Sequence, residues 1–267
     1  MNKQPIAVFD SGLGGLTVLK ELRSRLPYEN FVYFGDTANV PYGDKSKRAV
    51  TQFSLAIARF LEQEKKAKVI VVACNTASAQ ALGSLKKHCH IPVFGVIKPG
   101  AECAATSTRN GHVAVLGTEG TIRSKAYEKA VHRLNPHISV TSQACPLFVP
   151  LVEEGWEHKP ATHLIVQEYL IPIRNSKADT VILGCTHYPL LREQIIRVLG
   201  EKVCLINPAE AVAKNVQDAL EKKTPTIRAK KGNVVFYSSD DPVHFRKMAR
   251  LVLKEDVPPV HLKKLNV

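Results

Sequence analysis

Residues 69–76, VIVVACNT, decide the fold class. The segment is apolar throughout and then turns abruptly polar, which is typical of a strand that is buried on both faces. Apolar runs of the same kind stand at residues 6–9, 31–34, 93–97, 113–116 and 181–183. Stretches with helical spacing lie between them, with leucines at 16, 19 and 22 and longer segments at 53–61 and 161–171. This alternation predicts an α/β fold, in which helices cover both faces of parallel sheets.

The two halves of the chain repeat one pattern. Residues 6–12, IAVFDSG, resemble residues 113–119, VAVLGTE, and residues 69–76 resemble residues 180–187, TVILGCTH. A cysteine follows the hydroxyl-bearing turn by a similar distance in each half, 63 residues from Ser11 to Cys74 and 67 from Thr118 to Cys185. Two similar lobes would carry their functional loops at the carboxyl ends of parallel strands, which predicts one site between them.

Two interruptions of the strand and helix pattern predict where the chain crosses between the lobes. Pro99-Gly100 follows the predicted strand at 93–97, and Asn207-Pro208 marks a return. We expect a first lobe of residues 1–97 and 208–267, which holds Cys74, and a second lobe of residues 98–207, which holds Cys185. In this division a C-terminal strand at 234–237 and a helix at 243–253 rejoin the first lobe.

Composition narrows the functional classes. With 267 residues, 45% hydrophobic and 23% charged, the chain is that of a globular protein. It has no apolar run near the roughly 20 residues of a membrane span and no signal-peptide core, so we expect a cytoplasmic protein with no membrane partner. The net charge of +13 raises nucleic acid as a partner, but the basic residues form short clusters that are typical of solvated surfaces, at 65–66, 86–87, 222–223, 228–231 and 263–264.

The six cysteines are spread too widely for a secreted disulfide scaffold, so their thiols are expected to stay reduced. Cys74 and Cys185 each follow a predicted strand and precede a hydroxyl residue and a helical stretch. A helix N-terminus lowers the pKa of a thiol and can also hold a carboxylate. The other four are predicted to be small buried hydrophobes: Cys89, Cys103, Cys145 and Cys204.

Two binding alternatives are less favoured. Zinc is suggested by Cys185 with His187, or by His88-Cys89-His90, but neither has the second ligand pair that structural zinc sites use. A dinucleotide is suggested by Gly12-Leu13-Gly14-Gly15 with Asp36 downstream. The glycine pattern breaks at Thr17, however, and Asp10 would lie beside a pyrophosphate. The glycines fit close approach to a small ligand better, with Asp10 and Ser11 pointing into the cleft.

Several motifs in this order resemble the glutamate racemases of bacterial cell-wall synthesis. They are Asp10-Ser11-Gly12, Pro41-Tyr42-Gly43, the segment 73–77 and above all the segment 184–191, GCTHYPLL, with further support from Cys145-Pro146 and residues 151–155. The resemblance runs from Ile6 through Leu253. It implies two α/β lobes related by pseudo-two-fold symmetry, a homodimer, and interconversion of L- and D-glutamate for peptidoglycan precursors, with neither pyridoxal phosphate nor a metal.

The resemblance also implies residue roles in a two-base mechanism. Cys74 would act on D-glutamate, assisted by Asp10. Cys185 would act on L-glutamate, assisted by His187 and Glu153. The residues implied to hold the substrate are Asp10, Ser11, Tyr42, Gly43, Asn75, Thr76, Thr118, Thr186 and His187. Simpler roles stay open, with His187 as a helix cap or core hydrogen-bonding group, Glu153 as a surface residue and Asp10 as a turn residue.

Other functions remain open at this stage. A relative with the same two cysteines could act on aspartate or a hydantoin, and a non-catalytic binder could use the basic surface toward DNA or DNA gyrase. The presence of both cysteines favours catalysis.

Residues 206–210, INPAE, depart from the Asp-Ser-Gly that glutamate racemases often have there. The N-terminus lacks the long extension of members activated by a cell-wall precursor, so we do not expect that regulation.

Overall fold

The structure is a computed structural model that describes residues 4–221 and 231–266. The basic cluster at 222–223 and most of that at 228–231 lie outside these ranges. Among the residues described, no helix has the length and apolar character needed to cross a membrane.

Strands and helices alternate along most of the chain. Within the described ranges the strands are β1 (Ile6–Asp10), β2 (Phe31–Gly35), β3 (Val69–Val72), β4 (Val93–Gly95), β5 (His112–Gly117), β6 (Ser139–Ala144), β7 (Thr180–Gly184), β8 (Cys204–Ile206), β9 (Val234–Ser238) and β10 (Val260–Leu262). The α-helices there are α1 (Leu16–Arg25), α2 (Lys47–Arg59), α3 (Asn75–Gln80), α4 (Leu82–His88), α5 (Ile97–Ser107), α6 (Glu119–Ser124), α7 (Ala126–Leu134), α8 (Phe148–Glu153), α9 (Pro160–Asn175), α10 (Arg192–Leu199), α11 (Pro208–Glu221) and α12 (Pro242–Leu253).

The strands form two parallel sheets. The larger has the order β10-β9-β2-β1-β3-β4 and the smaller the order β6-β5-β7-β8. Every strand pairing is parallel, as in β1 with β3 and β5 with β7. The run β2-β1-β3-β4 has the same order as β6-β5-β7-β8, so the repeat seen in the sequence corresponds to two equivalent sets of four strands. The predicted α/β class is confirmed.

Helices cover both faces of each sheet. On the larger sheet, α1, α11 and α12 pack on one face and α2, α3 and α4 on the other. On the smaller sheet, α8, α9 and α10 pack on one face and α5 and α7 on the other. The uniformly apolar strands follow from this arrangement, because a strand with helices on both sides has no face that contacts water.

One predicted interruption is wrong. The strand expected at 93–97 ends at Gly95, and Ile97 begins α5, so that Pro99-Gly100 lies inside a helix. Proline is tolerated there because the N–H groups of the first helical turn have no partner within the helix. The chain passes between the sheets through α5 and returns through α11, which packs against both α1 and α5. The lobe boundaries at 97/98 and 207/208 stay a prediction.

Candidate active site

A cavity of about 300 Å³ lies where strands β1, β3, β5 and β7 end. Segments from both sheets line it, as a site between two lobes requires. All of the predicted site residues except Asp10 line this cavity: Ser11, Tyr42, Gly43, Cys74, Asn75, Thr76, Thr118, Glu153, Cys185, Thr186 and His187.

Cys74 follows β3 and caps helix α3. Its Sγ atom accepts the Ala77 N–H at 3.5 Å, and its thiol donates to Ser11 Oγ at 3.8 Å. Asp10 is wholly buried near this thiol. Its Oδ2 accepts the Gly12 N–H at 3.0 Å, which is the contact of a turn residue, while its Oδ1 has no hydrogen-bond partner among the described residues.

The pKa of Cys74 moves opposite to the sequence-based expectation. Burial, together with the charge of Asp10, raises the pKa of Cys74 to about 12, and the donors at Ala77 and Ser11 offset this only in part. Burial also raises the pKa of Asp10. The short helix α3 does not compensate the thiolate for its loss of water. In the protein without substrate, Cys74 is therefore a protonated thiol.

Cys185 has a different environment. We expected a helix to begin directly after Cys185, but a 3₁₀ turn, Tyr188–Leu191, separates this cysteine from α10. Its Sγ lies 3.8 Å from Nδ1 of His187, and Nε2 of His187 lies 3.1 Å from Oε1 of Glu153. Burial by itself lowers the pKa of His187, but its contacts with Cys185 and Glu153 raise that pKa to about 10.

His187 is therefore an imidazolium at neutral pH, held between a thiol and a carboxylate. Its ring makes no helix-capping hydrogen bond, so that simpler role is wrong. Glu153 is the last residue of α8, and its side chain is 43% exposed. It is nevertheless more than a surface residue, because it contacts His187. The resemblance had implied that His187 and Glu153 assist Cys185, and the structure places His187 next to this cysteine and Glu153 next to His187.

Hydrogen bonds join the lobes around the cavity. Oγ1 of Thr76 lies 2.8 Å from Oγ1 of Thr118, and Oγ1 of Thr121 lies 3.2 Å from the first and 3.1 Å from the second. The Gly120 N–H donates to the carbonyl of Gly43 at 2.9 Å. The predicted threonines are thus part of the contact between the lobes as well as of the cavity wall.

Tyr42 lines the cavity, but its hydroxyl is already used. It donates at 2.6 Å to Asp36, which is buried and also accepts from Ser239 and Asn39. Because this hydroxyl hydrogen is used, Tyr42 and Gly43 can donate to a ligand only through their backbone N–H groups. Sequence reasoning weighed Asp36 only as a ribose-binding acid and missed this role, because no local pattern links it to Tyr42.

Neither binding alternative fits the structure. Gly14 packs so closely on the opposite lobe that an added Cβ would lie 2.2 Å from Oγ1 of Thr186 and 2.6 Å from Cε1 of His187. Thr186 and His187 thus cover the turn at Gly14, and the Asp36 carboxylate already accepts from Tyr42, Ser239 and Asn39. No group of three or more His, Cys, Asp or Glu side chains arranged to hold a metal occurs within residues 4–221 and 231–266.

The sequence profile of the Asp/Glu/hydantoin racemases matches residues 17–216. The chain belongs to this racemase family. A glutamate racemase of Geobacter metallireducens is 51% identical over 251 residues, which cover 93% of this chain and 92% of that protein. A crystal structure of a Bacillus anthracis glutamate racemase isoform matches at a TM-score of 0.92 and 37% identity, over 99% of this chain and 98% of that one. A Francisella tularensis glutamate racemase in complex with D-glutamate matches equally well, at a TM-score of 0.92 and 36% identity, with coverage of 99% and 98%.

These comparisons confirm the family resemblance predicted from the motifs. In this racemase, further residues line the cavity that the sequence did not lead us to assign to the site. Apolar residues form part of its lining: Val40, Pro41, Pro146, Val149 and Pro150. Asp44 and Glu119 also line it, and among the described lining residues there is neither lysine nor arginine. Pro41 and Pro146 belong to motifs quoted in the sequence analysis. Their closeness in sequence to predicted site residues was the signal that could have placed them at the cavity.

Proposed function

We propose that this racemase interconverts L- and D-glutamate, with Cys74 and Cys185 as its two bases. The observation that carries the proposal is the placement of the thiols. Each follows the equivalent strand of its own sheet, β3 or β7, and both line the same cavity. The curated relatives and the solved structures compared above, which match nearly the whole chain, are named glutamate racemases, and this supports the choice of substrate.

The reaction consists of two proton transfers. A thiolate on one side removes the Cα proton and becomes a thiol, and the electron pair is left on the Cα carbon and its carboxylate. The thiol on the other side then gives its proton to the opposite face of Cα and becomes a thiolate. The two thiols account for both transfers, so the proposal includes neither pyridoxal phosphate nor a metal.

The charges around the thiols set the starting state. His187 places a positive charge beside Cys185, while burial and the charge of Asp10 raise the pKa of Cys74 to about 12 and keep it protonated. With Cys74 protonated in the free protein, we assign the first proton removal to Cys185, which the resemblance pairs with L-glutamate. After one turnover the protonation states are reversed, and Asp10 lies near Cys74 to assist the return.

Mostly neutral donors hold the substrate's carboxylates in this proposal, beside the imidazolium of His187. With no lysine or arginine among the described lining residues, the donors are side chains such as Asn75, Thr76 and Thr186, together with backbone N–H groups. Preorganised neutral donors in a site that excludes water stabilise the charge that develops as the Cα proton leaves. On the resemblance alone, we also propose a cytoplasmic homodimer that supplies D-glutamate for peptidoglycan precursors.

The substrate is tested by incubating the purified protein with L-glutamate or L-aspartate, without added cofactor and with a chelator present. Chiral chromatography should show glutamate approaching equal amounts of both enantiomers and aspartate unchanged. Cys74→Ser should abolish conversion, whereas Cys204→Ser, which alters an exposed cysteine outside the cavity, should retain it. Conversion of aspartate alone would show that the substrate is wrong, and no conversion of either amino acid would contradict the proposal.

A further inference from the structure

Tyr127 lies in α7 of the second sheet's helical layer and reaches the first half of the site. Its ring is buried, with 2% exposure, and its hydroxyl donates to Oδ1 of Asn75 at 2.7 Å. Asn75 follows Cys74 directly and lines the cavity. Tyr127 does not line the cavity itself, but it holds Asn75, which does, across the boundary between the sheets.

Two glycines leave room for the Tyr127 ring. An added Cβ at Gly100 would lie 3.2 Å from Cε1 of Tyr127, and one at Gly184 would lie 3.1 Å from Cε2. The ring is therefore enclosed between α5 and the end of β7, immediately before Cys185. Because the ring has little freedom to move, the position of its hydroxyl is fixed by the packing of the second lobe.

The hydrogen bond determines which end of the Asn75 amide is left for a ligand. An asparagine side chain has one accepting and one donating end, and the two are nearly equal in shape. The phenol is a donor here, and burial, followed by the nearby Cys185, raises the pKa of Tyr127 well above its ordinary value, so it keeps its proton. Oδ1 is occupied by this donor, and no other side-chain hydrogen bond of Asn75 is found among the described residues.

We propose that Tyr127 is a positioning residue that fixes the Asn75 amide so that its N–H group, and not its carbonyl, faces a substrate carboxylate. The carboxylate as ligand rests on the proposed function. Without the Tyr127 hydroxyl, the amide is free to turn over and present an oxygen that repels the carboxylate. The effect falls on binding of either enantiomer, because both carry the same carboxylates.

The kinetic test is a double-mutant cycle between Tyr127→Phe and Asn75→Ala. Tyr127→Phe keeps the ring and removes one hydrogen bond, so KM for both glutamate enantiomers should rise about three- to tenfold with kcat little changed. In the Asn75→Ala background the same substitution should change KM by less than about twofold, since the two residues act through one contact. An equal rise in both backgrounds would overturn the proposal, because Tyr127 would then act through the fold.

Tyr188→Phe is the matched control. It removes another buried tyrosine hydroxyl of the same lobe, which donates to the carbonyl of Cys145 at 2.8 Å and not to Asn75. Any change in KM that it causes should be the same with and without Asn75→Ala. This comparison separates the loss of a buried hydrogen bond in general from the loss of the contact between Tyr127 and Asn75.

A measurement without substrate separates this proposal from the function itself. In protein labelled with ¹⁵N at asparagine, the side-chain amide signal of Asn75 is assigned by its disappearance in Asn75→Ala. Tyr127→Phe should shift this signal, and Tyr188→Phe should leave it in place. An unshifted signal in Tyr127→Phe would overturn the proposal, whereas failure of the wild type to convert glutamate would overturn only the proposed substrate.

Discussion

Cys74 and Cys185 occupy equivalent positions in their sheets but have neighbours of opposite charge. Asp10 lies near Cys74, and the pKa of that thiol is raised to about 12 by burial and by this carboxylate. His187 lies 3.8 Å from Cys185. A two-base racemase needs one base protonated and the other deprotonated at the start of each turnover, so its two bases need unlike surroundings, as the two cysteines have here.

The influence of Asp10 on Cys74 is open to direct measurement. Asp10→Asn removes the carboxylate charge and should lower the pKa of Cys74, and each unit of decrease raises the thiolate fraction about tenfold at pH 8. Because the thiolate is the reactive form, alkylation of Cys74 by iodoacetamide should be faster in Asp10→Asn than in the wild type.

Peptide mass spectrometry follows the alkylation. The internal reference within the same molecule is Cys204, which is exposed, so the prediction that it is buried was wrong. Its rate should be the same in both proteins. If Cys74 reacts at the wild-type rate in Asp10→Asn while Cys204 is also unchanged, the carboxylate does not control this thiol.

The turn between β1 and α1 packs closely against the opposite lobe. Gly14 has no side chain, and this lets the turn lie against Thr186 and His187. On its other side, the hydroxyl of Tyr33 donates to the carbonyl of Gly12 at 2.8 Å. The turn is therefore fixed from both sides, and it holds Ser11 at the cavity wall.

Gly14→Ala tests the packing of this turn. The new methyl group would overlap Thr186 and the ring of His187, so one side must move. Displacement of a catalytic group by about 1 Å is expected to lower kcat/KM roughly 100-fold. Gly83→Ala is the matched control, because an added Cβ there meets nothing within 4 Å, and alanine in helix α4 should leave activity unchanged. Equal activity of the two variants would contradict the close packing of Gly14.

The sequence predicts the buried elements better than the marginal ones. Strand β3 is wholly apolar and β7 is apolar after Thr180, and both were predicted. By contrast, β6 is half exposed at a sheet edge and polar, while β8 and β10 are only three residues long, so none of these gave a periodic signal. The start of α5 was misplaced because Pro99 was interpreted as an interruption, although proline is compatible with a first helical turn.

Site residues divide in a similar way. Those that directly follow a strand, such as Ser11, Cys74 and Thr118, could be predicted from the sequence because parallel strands bring their carboxyl ends together. Asp36 also follows a strand, but its hydrogen bonds to Tyr42 and Ser239 could not be predicted, and neither could the role of Tyr127, because tertiary packing fixes these contacts. Tyr127 and Asn75 are 52 residues apart and belong to different sheets' layers, so only the structure shows their contact.

For the whole molecule, we expect each lobe to supply the base for one face of Cα. The two sheets have the same strand order over four strands, and each contributes one cysteine to the shared cavity. Contacts such as that between Thr76 and Thr118 hold the two sides together. Removal of either thiol should therefore leave proton removal possible from one face of Cα only.

Exchange of the Cα proton with solvent deuterium tests this claim most directly. Wild type, Cys74→Ser and Cys185→Ser are incubated with L- or D-glutamate in deuterium oxide and followed by NMR. The wild type should exchange and interconvert both enantiomers. Cys74→Ser should exchange only L-glutamate, and Cys185→Ser only D-glutamate, each at a reduced rate and without inversion. A single-cysteine variant that still inverts glutamate at the wild-type rate would contradict the two-thiol mechanism.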